Sequence, residues 1–151
     1  MIEQTVEVTL QQPPERAFGF FTDFPNEPAW NPECLMVEKT SAGPVGAGTT
    51  YTGKMRRVGQ IKTQIVALDR PNSFSTVERS RGAEGTFDFR FTPYDGGTRV
   101  DVAMRLQPRG PMRLLEPLMR RMVPKMLADL PENMRRGIDA ADRAPQDPSV
   151  A

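Results

Sequence analysis

Residues 13–32, PPERAFGFFTDFPNEPAWNP, hold two proline-broken helical fragments and end just after the only tryptophan of the chain, Trp30. Pro14 suits the first turn of a helix, where its missing N–H is not needed, and Ala17, Phe18, Phe20, Phe21 and Phe24 continue it as a short apolar helix. Pro25 and Pro28 limit the next helical piece to about one turn before Asn31-Pro32. The segment follows a single strand and precedes a long run of strands. That placement suits the mouth of a cavity, or a small-helix layer closing one end of a sheet.

On the N-terminal side, residues 2–10 alternate, with Ile2, Val6, Val8 and Leu10 on one face and Glu3, Thr5, Glu7 and Thr9 on the other, as in a half-buried strand. On the C-terminal side, Leu35 to Thr40 is a second strand. The stretch Gly43-Pro44-Val45-Gly46-Ala47-Gly48 lacks the Gly-Lys-Ser/Thr ending of a phosphate-binding loop and is a plain link. Further strands are predicted over Thr49 to Val58, Gln60 to Asp69, Ser73 to Ser80, Gly85 to Tyr94 and Gly97 to Leu106. Turn signals separate them at Gly59, Arg70-Pro71-Asn72, Arg81-Gly82-Ala83 and Asp95-Gly96. This is an antiparallel meander.

The last hairpin fixes its own register. A two-residue Asp95-Gly96 turn of type I′ sets Phe91 against Val100, Phe89 against Val102 and Phe87 against Met104 on one face. The other face brings Arg90 opposite Asp101 and Asp88 diagonal to Arg105. A slip by one residue would mix the faces, so this pairing is strongly specified.

After Gln107-Pro108-Arg109-Gly110-Pro111 the period becomes helical. Met112, Leu115, Met119, Met122, Met126, Leu130 and Met134 fall down one side, and Arg113, Arg120, Arg121, Arg135 and Arg136 stay largely off it. Pro117, Pro124 and Pro131 recur every seven residues, and an interior proline costs about 3 kcal/mol unless the helix bends. The spacing predicts a kinked helix, or a short first segment and a longer second one, bent around a curved sheet or bent so as to widen a cavity. Residues 1–138 read as one domain and 139–151 as a flexible tail.

Composition narrows the chemistry. Lys and Arg total 20 against 19 acidic residues, so net charge offers no general attraction to nucleic acid. The N-terminus lacks the pattern of a signal peptide, and no apolar run approaches the roughly 18 residues of a membrane span, so a cytoplasmic location is expected. Cys34 stands alone and histidine is absent, which excludes an internal disulfide, Ser-His-Asp and Cys-His nucleophiles and the ordinary zinc sites. No metal and no cofactor are expected.

The segments PPERAFGFFTDFPNEPAWNP, AGPVGAGTTY, VALDRPNSF, FDFRFTPYDGGTRVDVAMRLQPRGP and RLLEPLM, in this order and spacing, resemble the polyketide cyclase/dehydrase-like branch of the START/Bet v 1-like (SRPBCC) superfamily. The resemblance implies an α+β helix-grip fold: a curved antiparallel sheet of about seven strands wrapped around a long C-terminal helix, with two short helices after the first strand. It also implies an apolar cavity between sheet and helix for a lipid, polyketide or aromatic molecule. Some relatives are cyclases or dehydratases, but the family offers no universal catalytic motif to carry over.

Strand parity puts Tyr51, Gly53, Met55 and Arg57 on the inward face, with Ile61, Thr63, Ile65 and Ala67, then Phe74, Thr76 and Glu78, then Phe87, Phe89 and Phe91. Any one of these is most simply core. As a set with the deformable methionines they are read as a cavity lining of Trp30, Tyr51, Met55, Phe74, Thr76, Phe87, Phe89, Met104, Met119, Met122 and Met126. Trp30 either gates the mouth or plugs the helix layer onto the sheet. Tyr51, Glu78 and Arg57 are the weak candidates for catalysis: Glu78 with a raised pKa and Tyr51 as donor make a minimal acid/base set, whereas the simpler reading is that Arg57 and Glu78 pair with each other or reach solvent at the sheet end. The expected partner is a small hydrophobic molecule, with no nucleic acid, and monomer and homodimer are both open. Arg113, Arg120, Arg121 and Lys125 make a solvated helix face or, less simply, a docking face for a membrane or protein.

Overall fold

Ile2–Leu10 form β1, with Ile2, Val8 and Leu10 buried and Glu3, Glu7 and Thr9 exposed. In the computed structural model, which describes residues 1–144, β1 is followed by α1 (Pro14–Thr22), a 3-10 turn (Phe24–Ala29) and β2 (Cys34–Lys39). Five more strands follow: β3 (Thr50–Met55), β4 (Gly59–Asp69), β5 (Ser73–Arg79), β6 (Ala83–Tyr94) and β7 (Gly97–Pro108). The chain then forms a second 3-10 turn (Gly110–Leu115), α2 (Glu116–Leu127) and α3 (Leu130–Arg143). The seven strands make one antiparallel sheet in the order β1-β7-β6-β5-β4-β3-β2. Each strand lies beside its neighbour in sequence except β1, which pairs with the last. This is the expected helix-grip fold.

The β6–β7 hairpin has the register read from its sequence, with Phe91 opposite Val100, Phe89 opposite Val102 and Phe87 opposite Met104. Asp95 and Gly96 both take positive φ, 49° and 80°, as a type I′ turn requires. On the outer face Arg105 reaches Asp88 at 3.8 Å. Elsewhere parity needs correction. β3 ends at Met55 and residues 56–58 turn, so Arg57 is not in a strand. A bulge between Ile65 and Ala67 inserts Val66, which turns Ala67 outward and brings Leu68 against the core opposite Phe74.

One end of the sheet is filled by aromatic rings. Phe18 of α1 meets Phe91 and Phe74 edge-on at 5.3 and 6.0 Å, and Phe74 stacks on Phe89 at 4.5 Å. Met134 and Ile138 of α3, both fully buried, complete this core. Gly137 between them allows the close fit. A Cβ there would lie 2.6 Å from Trp30 Cβ and 3.0 Å from the Ala29 carbonyl, so a side chain would push α3 off the small-helix layer.

The C-terminal helical arm is more broken than its sequence period suggests. Pro117 and Pro131 stand in the first turns of α2 and α3, where they cost little, and the chain breaks at Ala128-Asp129 between the two helices. Only Pro124 lies inside a helix. The methionine stripe does not pack as one face: Val123 is the one buried residue of α2, while Met122 and Met126 are 42% and 46% exposed. The last helix also reaches past Ile138. α3 continues to Arg143 because Asp139 and Asp142 accept hydrogen bonds from Gln12 Nε2 at 2.7 and 2.9 Å, and Arg16 donates to Asp142 at 2.8 Å. The remainder of the expected tail, 145–151, lies outside the described residues.

Candidate functional site

Opposite the aromatic end, the sheet and the helical arm stand apart. The 3-10 turn Phe24–Ala29, the inner faces of β4 to β7, the β3–β4 turn and α2 with the start of α3 enclose a cavity of about 600 Å³. A second cavity of about 390 Å³ adjoins it, and Arg57, Val58, Ile61, Glu78 and Phe87 border both. Exposure of Met122 and Met126 follows from this arrangement. Their side chains border the open space between the helical arm and the sheet.

Of the residues read as lining from the sequence, Trp30, Met55, Phe74, Thr76, Phe87, Phe89, Met104, Met122 and Met126 border the larger cavity, and Met119 borders the smaller. Trp30 is 9% exposed, with Phe21 edge-on at 5.4 Å and Gly137 against its Cβ. It therefore anchors the small-helix layer on α3 and presents only part of its surface to the cavity. Tyr51 does not border the cavity. It is buried behind Phe24, whose ring lies 4.6 Å away, and its hydroxyl pKa is raised by burial and then by the charge of Asp23. Arg57 sits in the β3–β4 turn at the rim, mostly exposed, with its guanidinium 3.4 Å from Glu33. Of the two simple alternatives Arg57 takes solvent exposure, because the turn carries it outward, and among the described residues it makes no pair with Glu78. The other basic residues, Arg113, Arg120, Arg121 and Lys125, are all exposed; Arg120 is held by Glu116 and the Met1 carbonyl, and Lys125 also borders the cavity.

Glu78 projects from β5 into the space where the two cavities meet. It is half-buried, and among the described residues no hydrogen bond or ion pair reaches it. Burial, and next the neighbouring charge of Glu27, push its pKa up to about 8. Glu27 comes from the 3-10 turn and borders the same cavity. Its pKa is also raised by burial, opposed by the neighbouring Cys34 thiol and by a hydrogen bond from Asn31 Nδ2 at 3.1 Å. Cys34 is kept as a thiol, its pKa lifted to about 12 by burial and by Glu27. Glu27, Asn31 and Asn133 were not recognised in the sequence. The only signal for Glu27 was its place in the proline-broken segment, and nothing local announces a partner fifty residues away.

Near neutral pH, then, the inner wall holds a carboxyl that keeps its proton, a second carboxyl beside it, and no cation in contact with either. The outer rim holds Arg57, Glu33, Lys125 and Asp129. A profile described as polyketide cyclase / dehydrase and lipid transport matches residues 1–139. The chain belongs to this family.

Solved structures agree on the fold of this polyketide cyclase/dehydrase relative. A START superfamily protein from Mycobacterium smegmatis superposes with a TM-score of 0.75 at 16% identity, covering 93% of this chain and 97% of that one. The Zhui aromatase/cyclase from Streptomyces sp. R1128 gives 0.71 at 14% identity, covering 93% and 94%. Ara h 8.0201 gives 0.67 at 17% identity, covering 91% and 97%. A search of curated protein sequences gives no match. Family and fold fit binding of a small hydrophobic ligand or a polyketide-cyclase role. Among the described residues no helix is long and apolar enough to cross a membrane.

Proposed function

We propose that this protein encloses a small hydrophobic molecule between its sheet and its C-terminal helices. The observation that carries this reading is the cavity of about 600 Å³ walled by methionine and phenylalanine side chains, a volume within the range of small-molecule sites. Unbranched thioethers at Met55, Met104, Met122 and Met126 shape themselves to an irregular guest more easily than branched side chains do. The guest would cover the exposed faces of Met122 and Met126 and so regain the apolar burial that α2 lacks.

The neutral fluorescent probe N-phenyl-1-naphthylamine tests this reading. Met126→Trp places a larger ring into the cavity from a position with room to accept it, and is expected to weaken probe binding about tenfold or more. Leu118→Trp, on the same helix but away from the cavity, is expected to leave binding unchanged. Equal affinity in both variants would place the probe elsewhere and count against the proposal.

Glu78 supports a second reading, cyclisation or dehydration in the same cavity, because a carboxyl that keeps its proton near neutral pH can serve as a general acid. Tyr51, shielded by Phe24, is not available as its partner, and Glu27 takes that place. The test is turnover of a bound substrate by Glu78→Gln, with binding retained.

A further inference from the structure

The inner wall has a chemical preference that apolar character alone does not set. Glu78 is a half-buried carboxyl on the wall where the two cavities meet, and no hydrogen bond or ion pair reaches it among the described residues. The titratable and charged groups around it are Glu27 from the 3-10 turn, Cys34 from β2, Glu33, Arg57 and, from the helical arm, Lys125 and Asp129. Glu33 and Arg57 bond each other at the rim. Cys34 remains a neutral thiol beside Glu27, and its hydrogen bond goes to the Met36 carbonyl at 3.7 Å. Two carboxyl groups thus converge on one apolar space, and no cationic side chain contacts either.

Resting on the binding function proposed above, we infer that the ligand is an amphiphilic cation, an apolar body carrying a protonated amine or amidine whose N–H groups donate to the carboxylates of Glu27 and Glu78. An ammonium brings three donors and one positive charge to two carboxyl groups that offer only acceptors once they ionise. A carboxylate ligand meets two acids and no cation there. A neutral alcohol or ketone takes one hydrogen bond and leaves the repulsion between the acids as it was. The ammonium instead replaces the proton that Glu78 holds in the empty cavity, so binding releases protons to solvent.

Calorimetric titration with decylamine, decan-1-ol and decanoate, each in buffers of different ionisation enthalpy near pH 7, tests the inference. The amine is expected to bind at least about tenfold more tightly than the alcohol, with release of close to one proton, and decanoate most weakly. Amine affinity is expected to rise from about pH 6 to about pH 8.5, a range in which an aliphatic amine stays charged. Glu78→Gln is expected to weaken decylamine about thirtyfold and to leave decan-1-ol within about twofold. Should that variant fold poorly, the pH dependence of the wild-type protein carries the test. Alcohol binding as tight as amine binding, or amine binding with no proton release and no pH dependence, overturns the cationic ligand while leaving the enclosing cavity intact. Failure of all three probes to bind overturns both.

Discussion

Between about pH 5 and pH 9 the folded protein is expected to lose stability by an amount on the order of 4 kcal/mol, and Glu78→Gln is expected to remove most of that loss. The ordinary carboxyl pKa of 4.5 rises to about 8 at Glu78 in the folded chain. Below pH 4.5 both states hold the proton and the group contributes no slope. Between 4.5 and 8 the unfolded chain has released it and the folded chain has not, so the unfolded state gains with rising pH; above 8 the loss is complete. Glutamine cannot ionise and is free of this penalty. Wild type and variant are therefore expected to match near pH 4.5, and the variant to be the more stable at pH 9, as read from urea unfolding across the range. A small downward slope is expected to persist in the variant, because the Glu27 pKa is raised in the same direction. The lowered pKa of Asp142 acts in a lower window, where its bonds to Gln12 and Arg16 are lost on acidification. A wild-type profile that stays level from pH 5 to pH 9 would contradict the half-buried, unpaired state of Glu78.

Gly97→Ala is expected to destabilise the fold by about 3 kcal/mol, near the upper end of overpacking effects, and to lower Tm by roughly 10 °C. A Cβ at residue 97 would stand 2.0 Å from the Leu10 carbonyl oxygen and 3.0 Å from Gln11 Cα. Both are backbone atoms, so no rotamer change relieves the clash and the end of β1 must move. That movement pulls on the Leu10–Thr98 pairing and on the hydrogen bond from the Thr98 hydroxyl to the Gln12 carbonyl, 2.8 Å long and fully buried. Gln12 in turn holds the last turn of α3. Thermal unfolding measures the effect. A change within about 0.5 kcal/mol, the size typical of a surface substitution, would mean that the approach of β1 to residue 97 is not as close as described.

Much of the architecture is legible from local pattern. The β6–β7 hairpin announces its register because alternation, turn residues and cross-strand charges all agree over a dozen residues on each side, and two of the turn residues require a single backbone shape. The features that escaped are those fixed by contacts distant in sequence. Nothing around Ile65 marks the bulge that turns Ala67 outward, and nothing near Arg57 shows that β3 stops before it. Three prolines at heptad spacing signalled a disturbed helix, but the break falls at Ala128-Asp129, where α3 must turn to bury Met134 and Ile138 against the aromatic end.

The cavity divides in the same way. Its apolar wall was readable, since methionine and phenylalanine at inward positions need only the parity of each strand. Its polar character was not. Glu78 was visible as an inward acid, yet the second carboxyl, Glu27, lies in the proline-broken segment, brought to the same cavity by the packing of the 3-10 turn across the sheet. Tyr51 illustrates the converse. Its parity is inward as expected, but Phe24 covers it, so it serves the core and not the cavity.

The central claim is that this cavity holds a small apolar guest, and native mass spectrometry of gently purified protein addresses it most directly. The expected spectrum contains a species heavier than the 16.9 kDa chain by one small molecule, which organic extraction releases and which Met126→Trp no longer retains. Repeated recovery of the bare chain, together with no binding of N-phenyl-1-naphthylamine, would contradict the account.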